Sequence, residues 1–230
     1  MTSRPHQSYI RRWALSTHTP ILCVDYRLAP EHPFPAALDD VWQTYNWVLR
    51  YGEESLGIKP EKVILAGDSA GGSLVLGVIM RALETGTRVP DGVLLAFPSL
   101  CLQADHFTPS YLLALDDLIL HHTFCKLCAD LYIPADWDRG NQYISPLCVG
   151  DQLLQRFPPV RIVVGTRDPL HDDCWRLTER LNDLHCDVHM TVFAGLVHGG
   201  MNFYLRNNLK DGIRMVDQAT SYLSTLLGNA

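Results

Sequence analysis

Residues 63–73, VILAGDSAGGS, constrain the fold of this chain more than any other stretch. A short apolar run ends in glycine, and a second apolar segment with helical spacing, residues 74–83, starts almost at once. Between them Gly67-Asp68-Ser69-Ala70-Gly71 fits Gly-x-Ser-x-Gly, the spacing of a strand that turns sharply into a helix with a serine at the bend. At such a turn the serine sits in strained backbone, and bulky side chains two residues to either side would collide. Gly67 and Gly71 are expected to remove that collision, with Asp68 and Gly72 completing the elbow. The helix that follows points its dipole and free N–H groups at the serine, where negative charge would be stabilised.

The rest of the chain supplies the surroundings such a turn needs. Apolar segments at 21–26 (ILCVDY), 63–67, 92–97, 160–165 and 187–193 are bounded by turn signals. Most are continuous rather than alternating, as in strands covered on both faces. Amphipathic helical patterns lie between them. Residues 37–51 line up Leu38, Val41, Trp42, Tyr45, Val48 and Leu49, with Gly52 as a stop, and residues 173–184 and 213–227 carry the same periodicity. This order predicts a mostly parallel, doubly wound α/β sheet in a single domain spanning 1–230. One connection, residues 98–159, is too long for a simple crossover and contains a helical pattern around 117–133, so it is expected to be a lid or binding insertion.

A serine hydroxyl needs a base, and the base needs an orienting carboxylate. In sheets with this elbow the chain order is serine, acid, histidine. After the strand VRIVVG comes TRDPLHDD, which puts Asp168 at a strand's carboxyl end, and after the next strand comes AGLVHGG, which puts His198 in the corresponding place. Open α/β sheets assemble their sites on that rim. Of the ten histidines, His198 alone combines chain order, strand end and a following glycine. Asp172 and Asp173 compete with Asp168, but read better as caps of the helix that begins there.

The bulk properties remove other classes. A net charge of −6 disfavours nucleic acid. No apolar run approaches the roughly 18 residues of a membrane span, and Arg11 and Arg12 interrupt the opening residues where a secretory signal would be continuous. A cytoplasmic location is expected. Seven cysteines in irregular spacing argue against a disulfide framework. His121, Cys125 and Cys128 share a helix face, but zinc sites close with more ligands and there is no second Cys-x-x-C pair, so no metal is expected and the thiols read as buried. No cofactor is expected.

Longer motifs then carry a resemblance. DYRLAPEHPFPAALDD (25–40), GDSAGGS (67–73), RDPLHDD (167–173) and VHGG, in that order and spacing, resemble the hormone-sensitive lipase family of α/β-hydrolases over nearly the whole chain. The resemblance implies a serine carboxylic-ester hydrolase acting on acylglycerol-like or other lipid esters through an acyl-enzyme, with transient contact to a lipid surface. Ser69 would be the nucleophile, His198 the base and then the acid, and Asp168 the residue orienting His198. Arg27 and Glu31 would support the floor of the site through ion pairs. A non-catalytic ligand-binding or interaction protein on the same fold is the alternative, and a serine peptidase a third reading.

The family's oxyanion hole uses the N–H after the nucleophile, here Ala70, and a His-Gly-Gly-Gly loop upstream of the segment matching residues 4–15. This sequence begins after that point, so the expectation is a sheet lacking its first strands, with ester hydrolysis weak or absent. The His198-Gly199-Gly200 run does not replace that loop, because it occupies the place of the catalytic histidine.

Overall fold

Four short apolar segments form one parallel sheet: β1 (Ile64–Asp68), β2 (Gly92–Ala96), β3 (Val160–Gly165) and β4 (Val188–Phe193). The computed structural model describes residues 6–117, 119–203 and 210–229. The strands lie side by side in chain order, and every neighbouring pair is parallel. All the strands therefore finish at the same rim. Two helical layers enclose them. Helices α2 (Ala36–Leu56), α3 (Ala70–Thr85) and α7 (His171–Asp183) cover one face, and α1 (Gln7–Thr17) with α8 (Lys210–Leu227) covers the other. The central strands β2 and β3 are buried at every position, which is why their residues, Arg161 excepted, are apolar without alternation. Their side chains join Ile79, Met80, Leu177 and Met215 in the main core.

Residues 21–26 do not form a strand, contrary to the sequence expectation. A strand exists only by hydrogen bonding to a neighbour. Among the described residues β1 is paired on one side only, with β2, and segment 21–26 runs past without joining the sheet. Ile21 and Leu22 are exposed, and β1 is only half-buried.

Several boundaries also move. Helix α2 continues through Gly52 and closes at Gly57, whose φ is 66°. Gly52 is instead a packing glycine: a Cβ there would lie 3.4 Å from the Ile58 carbonyl oxygen. Within residues 98–159 the helical pattern yields α4 (Pro109–Leu113), α5 (His122–Tyr132) and α6 (Asp151–Leu154) rather than one helix from 117. Asp117 explains the late start, because its carboxylate accepts from the amides of Ile119 and Leu120 and holds a turn there. Leu118 lies outside the described residues. This segment turns Phe107, Leu112, Leu113, Phe124, Leu127 and Leu131 outward. Phe34, Leu38, Leu74, Ala129, Ile133 and Ile144 form a smaller core where it meets α2 and α3.

Candidate active site

Ser69 occupies the step between β1 and α3 with φ 51° and ψ −121°, a region that residues other than glycine rarely adopt. The strain is held by backbone on both sides. The Ser69 amide donates to the Ala96 carbonyl, and its own carbonyl accepts from the amides of Gly72 and Ser99. Ser69 heads α3 without capping it, so the hydroxyl is free of the helix.

The steric reason for the glycines differs from the one expected. A Cβ on Gly67 would lie 2.3 Å from the Gly71 carbonyl oxygen, and one on Gly72 would lie 2.6 Å from Pro98 Cβ. A Cβ on Gly71 would meet nothing closer than an Asp68 carboxylate oxygen at 3.9 Å. Gly67 and Gly72 are thus the positions where the elbow has no room, and Gly71 is not. Asp68 belongs to a partly buried polar group with His6 and Tyr9. The Tyr9 hydroxyl is hydrogen-bonded to His6 Nδ1, which in turn lies 3.4 Å from the Asp68 carboxylate. Burial, and then the charge of Asp68, push the Tyr9 phenol far above its ordinary value, so it stays a neutral donor.

The loops after β3 and β4 converge on the same point. His198 Nε2 lies 3.0 Å from Ser69 Oγ, and His198 Nδ1 lies 3.1 and 3.0 Å from the two carboxylate oxygens of Asp168. An ionised carboxylate only accepts, so Nδ1 carries the proton and donates to Asp168. In the neutral ring Nε2 is then the acceptor for the Ser69 hydroxyl. Asp168 is fully buried and His198 nearly so. Asp168 Oδ1 also accepts from the Leu170 amide at 2.9 Å. Phe97 stands edge-on to the imidazole, ring centroids 5.0 Å apart. Ala70 is the first residue of α3 and is exposed beside Ser69; the N–H at such a position has no partner within the helix.

Gly165 was not singled out from sequence, yet it makes this convergence possible. The loop carrying His198 folds back over the end of β3, and a Cβ at Gly165 would lie 2.2 Å from the Leu196 carbonyl oxygen. A glycine closing an apolar strand just before the acid was the available signal.

Other expectations are corrected here. Asp172 and Asp173 do not cap α7; both lie in its first turn and bond to the inserted segment instead. Burial acts to raise the Asp172 carboxyl, but hydrogen bonds from His171 and Ser110 outweigh it and hold it below the usual range. Burial raises Asp173, against the pull of His106. Arg27 makes its ion pair with Asp40, its guanidinium reaching both carboxylate oxygens, with Nη2 to Oδ1 at 2.8 Å. Glu31 is exposed and makes no ion pair among the described residues. His121 caps α5 by accepting from the Phe124 amide. Cys125 is half-buried and Cys128 exposed, so the pair is less covered than expected. Among the described residues no three His, Cys, Asp or Glu side chains are grouped to hold a metal ion. No helix among them is long and apolar enough to cross a membrane.

The sequence and the fold are similar to those of known proteins. A family model described as alpha/beta hydrolase fold matches residues 1–202. Hormone-sensitive lipase of Bos taurus is 42% identical over 135 residues, covering 59% of this chain and 18% of the lipase. Carboxylesterase NlhH of Mycobacterium tuberculosis is 33% identical over 201 residues, covering 87% of this chain and 62% of the esterase. A thermostable esterase from Pseudomonas putida superposes with a TM-score of 0.92 at 26% identity, covering 99% of this chain and 70% of that one. The chain therefore spans less than a fifth of the lipase and under two thirds of NlhH.

Proposed function

Because this chain belongs to the alpha/beta hydrolase fold family, we propose that it is a serine carboxylic-ester hydrolase in which Ser69 is the nucleophile, His198 the general base and acid, and Asp168 the group that orients His198. The observation that carries the reading is the unbroken line from hydroxyl to imidazole to buried carboxylate, with 3.0 Å between Ser69 Oγ and His198 Nε2. Ser69 Oγ attacks the ester carbonyl as its proton passes to Nε2. The imidazolium, held by Asp168, returns that proton to the departing alcohol and leaves an acyl-serine. A water molecule, deprotonated in turn by His198, releases the acid and restores Ser69. The Ala70 N–H, at the positive end of α3, is one donor to the tetrahedral oxyanion.

Residues 98–159 act as a lid over the site, and the outward apolar side chains of α4 and α5 suit acylglycerol-like or other lipid esters and brief contact with a lipid surface. A non-catalytic binding role is less economical, since it gives no reason to keep a strained serine aligned with an oriented base.

The test is labelling by a fluorophosphonate, which reports an activated serine, alongside hydrolysis of a short p-nitrophenyl ester. Ser69 is expected to take the label, and Ser69→Ala to abolish both labelling and hydrolysis. Labelling at another residue, or its survival in Ser69→Ala, would overturn the assignment.

A further inference from the structure

The turn that presents Asp168 is gripped from the inserted segment. Thr108, almost fully buried, caps α4 through the Tyr111 amide and sets Ser110 in place. The Ser110 hydroxyl donates to the Pro169 carbonyl at 3.0 Å and accepts from the Asp172 amide at 3.2 Å, while the Ser110 amide donates to Asp172 Oδ2 at 2.9 Å. These contacts bracket Leu170, whose own amide holds Asp168 Oδ1. A fourth link lies alongside, His106 Nε2 donating to the buried Asp173 carboxylate at 2.6 Å. No other element of the fold reaches the 169–172 turn with comparable polar contacts in the described residues, and 59 to 62 residues of chain separate the bonded partners.

From this we infer that Ser110 is a positioning residue for the Asp168–His198 pair, and that the seating of the inserted segment sets how well the carboxylate meets the imidazole. The inference rests on the function proposed above and deepens it, because it gives the segment between β2 and β3 a hold on the proton-transfer line itself. The segment supplies no reacting atom. It fixes Pro169 and Asp172, they fix Leu170, and Leu170 fixes the carboxylate. Movement of α4 away from α7 would loosen the turn and leave His198 without a well-aligned acceptor. A lid seated on this turn thereby readies the base as it covers the site.

Two readouts on the 230-residue chain separate this from simple bracing of the fold. The first is the far-downfield proton NMR signal of the His198 Nδ1–H, which reports the bond to Asp168 and is identified by its loss in Asp168→Asn. The second is the pH dependence of fluorophosphonate labelling. Ser110→Ala is expected to shift and broaden the proton signal. It should lower the limiting labelling rate roughly 10- to 100-fold, the scale of a misplacement near 1 Å, without changing the probe concentration for half-maximal rate. The limb of the pH profile that reports His198 should move to lower pH, since a misaligned carboxylate stabilises the imidazolium less. Ser110→Thr, which keeps the hydroxyl, should restore all three. If circular dichroism shows Ser110→Ala to be unfolded, Asp172→Asn carries the same readouts, because it weakens the acceptor while preserving shape. A folded Ser110→Ala with the wild-type signal, rate and pH limb would overturn the inference. If the wild-type chain takes no label at Ser69, the functional reading fails, and the proton signal alone still decides whether Ser110 positions Asp168.

Discussion

Two aspartates stand at opposite ends of the same sheet and meet different fates. Asp168 follows β3 at the rim where the strands finish, with its side chain wholly buried. Asp187 precedes β4 at the end where the strands begin, with its side chain half exposed, and pairs with Arg161 from the start of β3. Each carboxylate accepts from a nitrogen side chain through both oxygens. At the finishing rim the buried ion is the acid and its partner is a titratable imidazole that reaches on to a hydroxyl. At the starting end the buried ion is the guanidinium, which stays charged at any ordinary pH and leads nowhere. Similar bonding geometry therefore gives a line from carboxylate through imidazole to hydroxyl in one place and a surface clasp in the other. The partner's ability to change charge, and what lies beyond it, make the difference.

The sharpest way to break this comparison is to neutralise both acids in turn. Asp168→Asn should cost roughly 10,000-fold in the rate of fluorophosphonate labelling, because an amide can hold the imidazole in the wrong tautomer. Asp187→Asn should leave that rate unchanged. Comparable losses in the two variants would mean that burial and tautomer are not what separates the two ends.

How much of this could be read before the structure depends on the range of the interactions involved. β3 is foreseen to the residue, because a run between Pro159 and Thr166 that is apolar but for Arg161 is a local signal. Ser69, Asp168 and His198 were singled out by chain order at strand ends, and the structure brings them within hydrogen-bonding distance. Residues 21–26 look just as strand-like but have no strand to pair with among the described residues, and composition cannot report a neighbour. The grip of Ser110 on the turn after Asp168 was invisible for the same reason: its partners are about sixty residues away in the chain. The Asp172-Asp173 pair looked like a cap because acidic residues at a helix start usually are one; a long-range donor claimed each of them instead.

The elbow offers a second contrast, confined to the rim and read first in stability. Gly67 and Gly71 are interchangeable in the Gly-x-Ser-x-Gly pattern, but only Gly67 has backbone within 2.3 Å of where a Cβ would go. Gly67→Ala should destabilise the fold by about 3 kcal/mol or more, since the atoms in the way are main chain and cannot rotate aside. It should also abolish labelling at Ser69. Gly71→Ala, placed in the first turn of α3 with open space around it, should stay within about 0.5 kcal/mol of wild type and gain a little helix propensity. Urea melts of the two variants decide the matter, and equal losses would show that the close approach at Gly67 is relieved by a shift of the elbow.

The weakest effect belongs to the starting end of the sheet, in acid. Hydrogen bonds from Arg161 hold the Asp187 carboxyl below its ordinary value. A group lowered on folding binds fewer protons in the native than in the unfolded state. Its stabilisation is present above the unfolded value, near 4, and is lost as pH falls through the folded value. Wild type should therefore exceed Asp187→Asn in stability at pH 6, with the gap closing toward pH 3. The gap should be about 1 kcal/mol or less, since water screens the half-exposed carboxylate. Arg161 also retains bonds to the carbonyls of Val160 and Asp187 after the carboxylate is protonated, which limits the loss further. Thermal melts across that range measure it. A gap that stays constant down to pH 3 would mean the Arg161–Asp187 contact acts through packing rather than charge, and the two ends of the sheet would then differ more than their shared geometry suggests.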